Sequence, residues 1–139
     1  MEMATIGATE KGGVCRLALT DLDREARERF VAWCEAARCQ ISVDRMGNIF
    51  ARRPGRDDKL PPVLTGSHLD TQPTGGKFDG AYGVLAGLEV LRTLDDLGIE
   101  TERPVEVVAW TNEEGSRFAP AMIASGVFAG VFSIEHGLS

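Results

Sequence analysis

The sequence is short of cysteine, and the cysteines it has do not form an obvious set. Cys15, Cys34 and Cys39 are odd in number and contain no CxxC pair. This pattern argues against a disulfide framework and favours a reducing compartment. We therefore expect a cytoplasmic protein, with Cys34 in the core on the apolar side of a helix.

Clustered positive charge and long apolar runs are also missing. There are 15 basic against 21 acidic residues, a formal net charge of −6. The short basic run at residues 52–56 fits a solvated turn better than a phosphate-binding surface. No apolar stretch could span a bilayer, and the N-terminus lacks the charged-then-apolar form of a signal peptide. We expect a soluble intracellular protein, with neither nucleic acid nor membrane as its partner.

The sequence pattern predicts alternating helices and strands, and the length of the chain suits one domain. Apolar residues recur at helical spacing from Thr20 to Ala37, and Thr20 with Asp23 resembles a capping box. Residues 41–51 predict a β-hairpin with Gly47 in its turn. The first half of the chain therefore predicts one amphipathic helix followed by paired strands.

The second half predicts a strand, a helix and another strand. The strands are a buried one at 63–67 and one at 104–110. The helix at about 80–97 is apolar almost all round at its start and ends at Gly98. This order indicates a parallel pair joined by a crossover. We predict an α/β fold whose mixed, mostly parallel sheet is flanked by helices, with ligands bound beyond the carboxyl ends of its strands.

The turn after the first of these strands is rich in metal-binding groups. Residues 66–79 read Gly-Ser-His68-Leu-Asp70-Thr-Gln-Pro-Thr-Gly-Gly-Lys-Phe-Asp79. Side chains at i and i+2 of an extended chain face the same way, so Asp70 can orient the His68 ring. The two glycines allow Asp79 to reach the same space. A polar turn in which Asp79 caps the helix explains these residues equally well.

A second polar cluster, Thr111-Asn112-Glu113-Glu114-Gly115, follows the other strand. One imidazole with several carboxylates suits a divalent first-row metal, zinc or manganese above all. Two such ions can activate water and polarise a carbonyl in hydrolysis. Neighbouring glutamates point differently, so one can bind metal while the other is a general base. Alone, Glu113 and Glu114 would fit the first turn of a helix; with His68, Asp70 and Asp79 nearby, the metal site is favoured.

These two motifs closely resemble those of the M20 metallopeptidase clan. Within it, the short interval from His68 to Asp79 is similar to that of the hydantoinase/carbamoylase amidases, which include N-carbamoyl-L-amino-acid hydrolases, β-ureidopropionases and allantoate amidohydrolases. The resemblance extends through nearly the whole chain. It implies an incomplete M20-type catalytic domain. It also implies a metal-dependent hydrolase that uses metal-activated water on C–N bonds of N-carbamoyl or ureido amino-acid derivatives.

The resemblance also implies a role for each site residue. His68 would bind one of two divalent ions, zinc or manganese. Asp79 would bridge both ions, and Glu114 would bind the second. Glu113 would be the general base, and Asp70 would orient His68.

Members of that family are longer than this chain. They supply two further histidine ligands downstream and insert a smaller dimerisation domain. We therefore expect residues 1–139 to be the N-terminal portion of the metal-binding catalytic domain, without the dimerisation or lid domain, of a parent enzyme that is a homodimer. His136, the other histidine, lacks the ligand motif and is not expected to bind metal.

Two alternatives stay open. An aminoacylase or peptidase of the same clan would use the same ligands, and turnover of an N-carbamoyl amino acid against an N-acyl amino acid or a dipeptide separates the two. A non-catalytic truncated fragment would keep three ligands without a closed site. We expect little or no activity from the 139 residues in isolation.

Overall fold

A four-stranded mixed sheet forms the centre of the computed structural model, which describes residues 2–139. The strands are β1 (Gln40–Val43), β2 (Ile49–Arg53), β3 (Val63–His68) and β4 (Val105–Trp110), in the order β1-β2-β4-β3. The α/β class and the mixed sheet are confirmed. The β3–β4 pairing is parallel, while β2 pairs antiparallel with both β1 and β4, so β1, β3 and β4 run in one direction and β2 in the other. The reversed strand is β2, since the short hairpin loop forces β1 and β2 to run in opposite directions.

The helices include the two that the sequence predicts at residues 20–37 and about 80–97. They are a 3-10 turn (Glu2–Thr5), α1 (Asp21–Ala36), α2 (Ala81–Asp96), α3 (Ile123–Phe128) and α4 (Ile134–Leu138). At the start of α1 the Asp23 N–H donates to the Thr20 hydroxyl at 3.3 Å, which confirms the N-cap. Gly98, at φ 62°, ends α2 as predicted. In the described part of the chain, no helix combines the length and apolarity needed to cross a membrane.

The main core lies between one face of the sheet and helices α1 and α2. It is almost entirely apolar, and its members with no exposed surface are Ala26, Phe30, Cys34, Ala51, Val84, Leu91, Val107 and Ala109. Gly87 allows α2 to approach the sheet, because a Cβ there would come within 2.8 Å of Val107. The burial of Cys34 is as predicted.

The opposite face of the sheet carries a smaller aromatic cluster. Phe50, Trp110 and Phe128 lie with ring centroids 5.1–6.0 Å apart, which packs α3 onto the sheet. The strand predicted at residues 63–67 is present as β3, but the prediction that it is buried was wrong. Val63 is 54% exposed, because β3 is an edge strand with only β4 beside it among the described residues.

Candidate metal centre

Three elements deliver the candidate ligands to one edge of the sheet. His68 is the last residue of β3 and is paired in register with Trp110, the last residue of β4. Glu113 and Glu114 follow in the turn after β4, and Asp79 immediately precedes Gly80, the N-cap of α2. The parallel pairing of β3 with β4 therefore brings together residues that are far apart in sequence.

The metal ligands predicted from the sequence lie close enough to share one ion. His68, Asp79 and Glu114 each offer a ligand atom, and these atoms lie within 4.8 Å of one another. His68 Nε2 is 4.0 Å from Asp79 Oδ1. The imidazole is 8% exposed and the Asp79 side chain 56% exposed, so the cluster has a buried floor and an open side.

The orientation of the His68 ring is fixed by the main chain. Its Nδ1 lies 2.8 Å from the carbonyl oxygen of Asp70. A carbonyl only accepts, so Nδ1 carries a proton, and in the neutral imidazole Nε2 keeps its lone pair for a metal. Gly80 packs against the ring, since a Cβ there would come within 2.4–2.6 Å of three ring atoms.

Asp70 orients His68 through its main-chain carbonyl rather than its carboxylate. The sequence suggested that the carboxylate would orient His68, but that oxygen is 3.8 Å from Nδ1. The carboxylate instead accepts hydrogen bonds from the main-chain N–H groups of Glu113 and Glu114, each at 3.2 Å. The chain turns after β3 and aims the Asp70 side chain at the end of β4. One buried residue thus positions both halves of the site.

The two glutamates have different surroundings. Glu114 Oε2 accepts a hydrogen bond from Gln72 at 3.1 Å, while its Oε1 is buried with no hydrogen-bond partner among the described residues. A buried carboxylate oxygen without a partner is costly, and a cation relieves that cost. Glu113 Oε2 instead faces His68 Nε2 at 3.3 Å.

The electrostatics of the cluster also suit a divalent cation. Burial raises the pKa of the Glu113 carboxyl, His68 lowers it, and the carboxylates of Glu114, Asp70 and Asp79 raise it. Several negative groups thus crowd around one imidazole, and hard or borderline divalent ions prefer such nitrogen and oxygen donors. The residues present therefore fit a metal ion.

A supporting layer beneath the second cluster was not found by reading the sequence. The Thr111 N–H donates to Asn48 Oδ1 at 2.9 Å, and Arg27 donates to the Thr111 hydroxyl at 3.2 Å. Asn112 adopts the left-handed conformation at φ 51° and donates to the Phe118 carbonyl at 2.7 Å. A polar residue at the start of a hairpin strand is ordinary, so nothing in the sequence marked Asn48 as buried support.

His136 lies outside the cluster. It is exposed on α4, with its ring 5.3 Å from that of Phe132. The metal-ligand group found among residues 2–139 does not include it.

Comparison with known proteins gives this arrangement a context. The family model described as peptidase family M20/M25/M40 matches residues 64–137, which contain both polar clusters. The chain is 60% identical over 136 residues to an N-carbamoyl-L-amino-acid amidohydrolase of Rhizobium meliloti, a match that covers 98% of this chain and 33% of that protein. It is 34% identical over 137 residues to a ureidoglycolate hydrolase of Arabidopsis thaliana, covering 99% and 29% respectively.

Solved structures give the same result. The amidase of the hydantoinase/carbamoylase family from Burkholderia multivorans superimposes with a TM-score of 0.99 at 70% identity, over 100% of this chain and 34% of that one. The chain thus spans about a third of the length of the relatives it matches. Across that third, the β3–α2–β4 unit and its polar turns belong to a catalytic-domain architecture already seen in amidohydrolases.

Proposed function

Since the chain belongs to peptidase family M20/M25/M40, we propose that it contributes metal ligands and the general base to a metal-dependent amidohydrolase. The proposed reaction is hydrolysis of a non-peptide C–N bond in an N-carbamoyl or ureido derivative of an amino acid. The observation that carries the proposal is the convergence of His68, Asp79 and Glu114 beside a separate, half-buried Glu113. The substrate class follows relatives named for N-carbamoyl amino acids and ureidoglycolate.

We assign the metal ligands as His68, Asp79 and Glu114. The complete site would hold two divalent ions, zinc or manganese, with Asp79 shared between them. When bound, such ions act as Lewis acids toward a carbonyl and make water a stronger acid. The unpartnered Glu114 oxygen and the lone pair on His68 Nε2 support this assignment.

Glu113 is the proposed general base. It would accept a proton from the attacking water and return it to the departing nitrogen, as a carboxylate beside an activated water can. Its position beside His68 Nε2, outside the group of three ligand atoms, supports this role. Asp70 would not touch the substrate; it holds His68 through its carbonyl and the glutamates through its carboxylate.

The setting of the complete enzyme is part of the proposal. Cys15, Cys34 and Cys39 are all free thiols, which supports a reducing compartment, and we propose the cytoplasm. The resemblance to the amidase family supports a homodimeric parent enzyme.

Product formation from matched substrates tests the proposal. The purified chain, with Mn²⁺ or Zn²⁺, would be incubated with an N-carbamoyl-L-amino acid, the N-acetyl form of the same amino acid and a dipeptide, and the released amino acid quantified by mass spectrometry. We expect at most slow release, confined to the carbamoyl substrate and abolished by a chelator and by Glu113→Gln. Faster release from the acetyl substrate or the dipeptide would overturn the substrate class. Release that survives both the chelator and the substitution would overturn the mechanism.

A further inference from the structure

Arg16 is a buried cation that the proposed chemistry does not use. It is 1% exposed and lies in the loop between the N-terminal 3-10 turn and α1. A charged side chain is rarely buried so completely unless it is paired and hydrogen-bonded. Its contacts therefore indicate what keeps it there.

The Arg16 guanidinium joins two parts of the main chain. Its Nη1 donates to the carbonyl oxygens of Met3 at 3.1 Å and Ile6 at 2.7 Å. Its Nε donates to the carbonyl oxygen of Leu69 at 2.7 Å. Leu69 separates His68 from Asp70, so the third of these bonds acts on the loop that carries the metal site.

The main chain of Arg16 holds the same loop on the other side of Asp70, at Thr71. The Arg16 N–H donates to the Thr71 hydroxyl at 2.7 Å, and the Thr71 N–H donates to the Arg16 carbonyl at 2.8 Å. Arg16 thus holds the residues on both sides of Asp70. Asp70, in turn, orients His68 and binds the N–H groups of the paired glutamates.

The charge of Arg16 is matched within the same buried region. Burial lowers the pKa of its guanidinium, and the carboxylates of Asp23 and Asp70 raise it. Asp23 lies at the start of α1 and is itself 2% exposed. The cation thus lies near one acid of the helix and one acid of the site.

We propose that Arg16 is a positioning residue of the metal centre, which fixes residues 69–71 so that Asp70 can present His68 and the glutamates to a metal. The inference rests on the proposed function, but the hydrogen bond from His68 Nδ1 to Asp70 needs no metal. A planar guanidinium suits the task because its donors have a fixed geometry that a single ammonium does not reproduce.

A purely structural role predicts something different. In that case, any equally destabilising core substitution would disturb the site to the same degree. Leu91→Val supplies the control, because Leu91 is fully buried in α2. It lies ten residues from the end of α2 that faces the site, about 15 Å along the helix axis.

The test compares Arg16→Met, Arg16→Lys and Leu91→Val in the full 139-residue chain. The first readout is the NMR resonance of the His68 Nδ1–H proton without metal. The second is the dissociation constant for Mn²⁺ by titration calorimetry. We expect Arg16→Met to lose the resonance and to weaken Mn²⁺ binding by about tenfold or more, the effect typical of losing outer support of a ligand.

Arg16→Lys should recover part of both signals, while Leu91→Val should leave both unchanged despite its lower stability. The proposal is overturned if a folded Arg16 variant retains the resonance and the affinity of Leu91→Val. Should Arg16→Met not fold, Arg16→Lys decides. If the wild-type chain shows the resonance but binds no Mn²⁺, the proposed function fails. The His68 Nδ1–H resonance in the variants then still tests whether Arg16 positions residues 69–71.

Discussion

At the scale of single residues, the site depends on how His68 is held from two sides. The Asp70 carbonyl fixes its Nδ1 proton, and Gly80 leaves just enough room for the ring. The ring is therefore oriented by contacts within the chain, so its ligand atom is available at no further conformational cost when a metal binds.

Substituting Gly80 tests the packing against the ring. Gly80→Ala puts a methyl group where the imidazole lies and forces an L-residue into φ 65°, ψ −54°, so we expect Mn²⁺ binding to be lost and stability to fall by more than the roughly 1–2 kcal/mol that an L-residue costs in left-handed α backbone. Gly98→Ala controls for the positive φ alone (62° against 65°), since Gly98 has open space beside it, and Mn²⁺ affinity is therefore the deciding readout. Urea unfolding and calorimetry on both variants measure the difference. Equal losses in the two variants would contradict the account.

The two glutamates can be separated by an isosteric pair of substitutions. Glu114→Gln removes a proposed ligand. We expect Mn²⁺ affinity to fall by at least about tenfold, because loss of a residue that merely supports a ligand already has an effect of that size. Glu113→Gln should change the affinity by less than about threefold but abolish product formation, because a neutral amide cannot act as a base. Calorimetry and product assays on the same preparations measure both effects. The reverse ranking of affinities would exchange the two roles.

The site residues that belong to the two polar sequence motifs could be predicted from the sequence. His68, Asp79, Glu113 and Glu114 could be placed at one sheet edge from the strand–helix–strand order alone. The two functions of Asp70 could not, because they depend on which way the chain turns after β3. Arg16 left no sequence signal either, since nothing about a lone arginine in a loop shows that its partners are carbonyl oxygens distant in the chain.

At the scale of the elements, β3, α2 and β4 form one unit that carries the site. Helical periodicity and the Gly98 stop located α2, and apolar runs located both strands. Exposure was harder to predict, because a short apolar run looks the same in an edge strand and in a central one. Val63 shows this most clearly, since only the order of strands in the sheet decides how much of it is covered.

An ion pair ties the hairpin to the far end of α2. Arg53 Nε donates to Asp95 Oδ1 at 2.7 Å and its Nη2 to the Ile99 carbonyl at 2.8 Å. The hydrogen bond from Arg53 is the main cause that lowers the pKa of Asp95 below its ordinary value. A carboxyl with a lowered pKa in the folded state stabilises the fold above its unfolded pKa, and the contribution disappears as pH falls through the folded pKa.

Asp95→Asn should therefore cost stability at neutral pH and little in acid. We expect a loss of about 0.5 kcal/mol at pH 7, a modest value because solvent screens this half-buried pair. The difference from wild type should shrink as pH falls below about 4 and vanish once the Asp95 carboxyl is protonated in the folded chain. Urea unfolding at several pH values measures it, with Asp96→Asn as the control for loss of one negative charge. A loss that persists unchanged at pH 2 would show that the pair's charge is not the cause.

At the scale of the whole molecule, the number of ligands sets what the chain can do. The described residues bring one group of three ligand atoms together, which is enough for one ion with water completing its coordination. A two-ion site needs more ligands than this group supplies. The chain also spans about a third of the length of its relatives, so the activity of a complete enzyme remains a proposal for residues 1–139.

The expected stoichiometry follows from that ligand count. Calorimetric titration with Mn²⁺ should give about one ion per chain rather than two, and turnover should be far below that of the Rhizobium meliloti amidohydrolase assayed in parallel. Two tightly bound ions per chain, with matching turnover, would show that the three residues suffice for the complete reaction.

The location of the bound ion tests the central claim most directly. Crystals of the chain grown with Mn²⁺ would be measured for anomalous scattering at the manganese edge. The account predicts an anomalous peak enclosed by His68 Nε2 and the carboxylates of Asp79 and Glu114. A manganese peak elsewhere, at His136 for example, with none at this edge of the sheet, would contradict it.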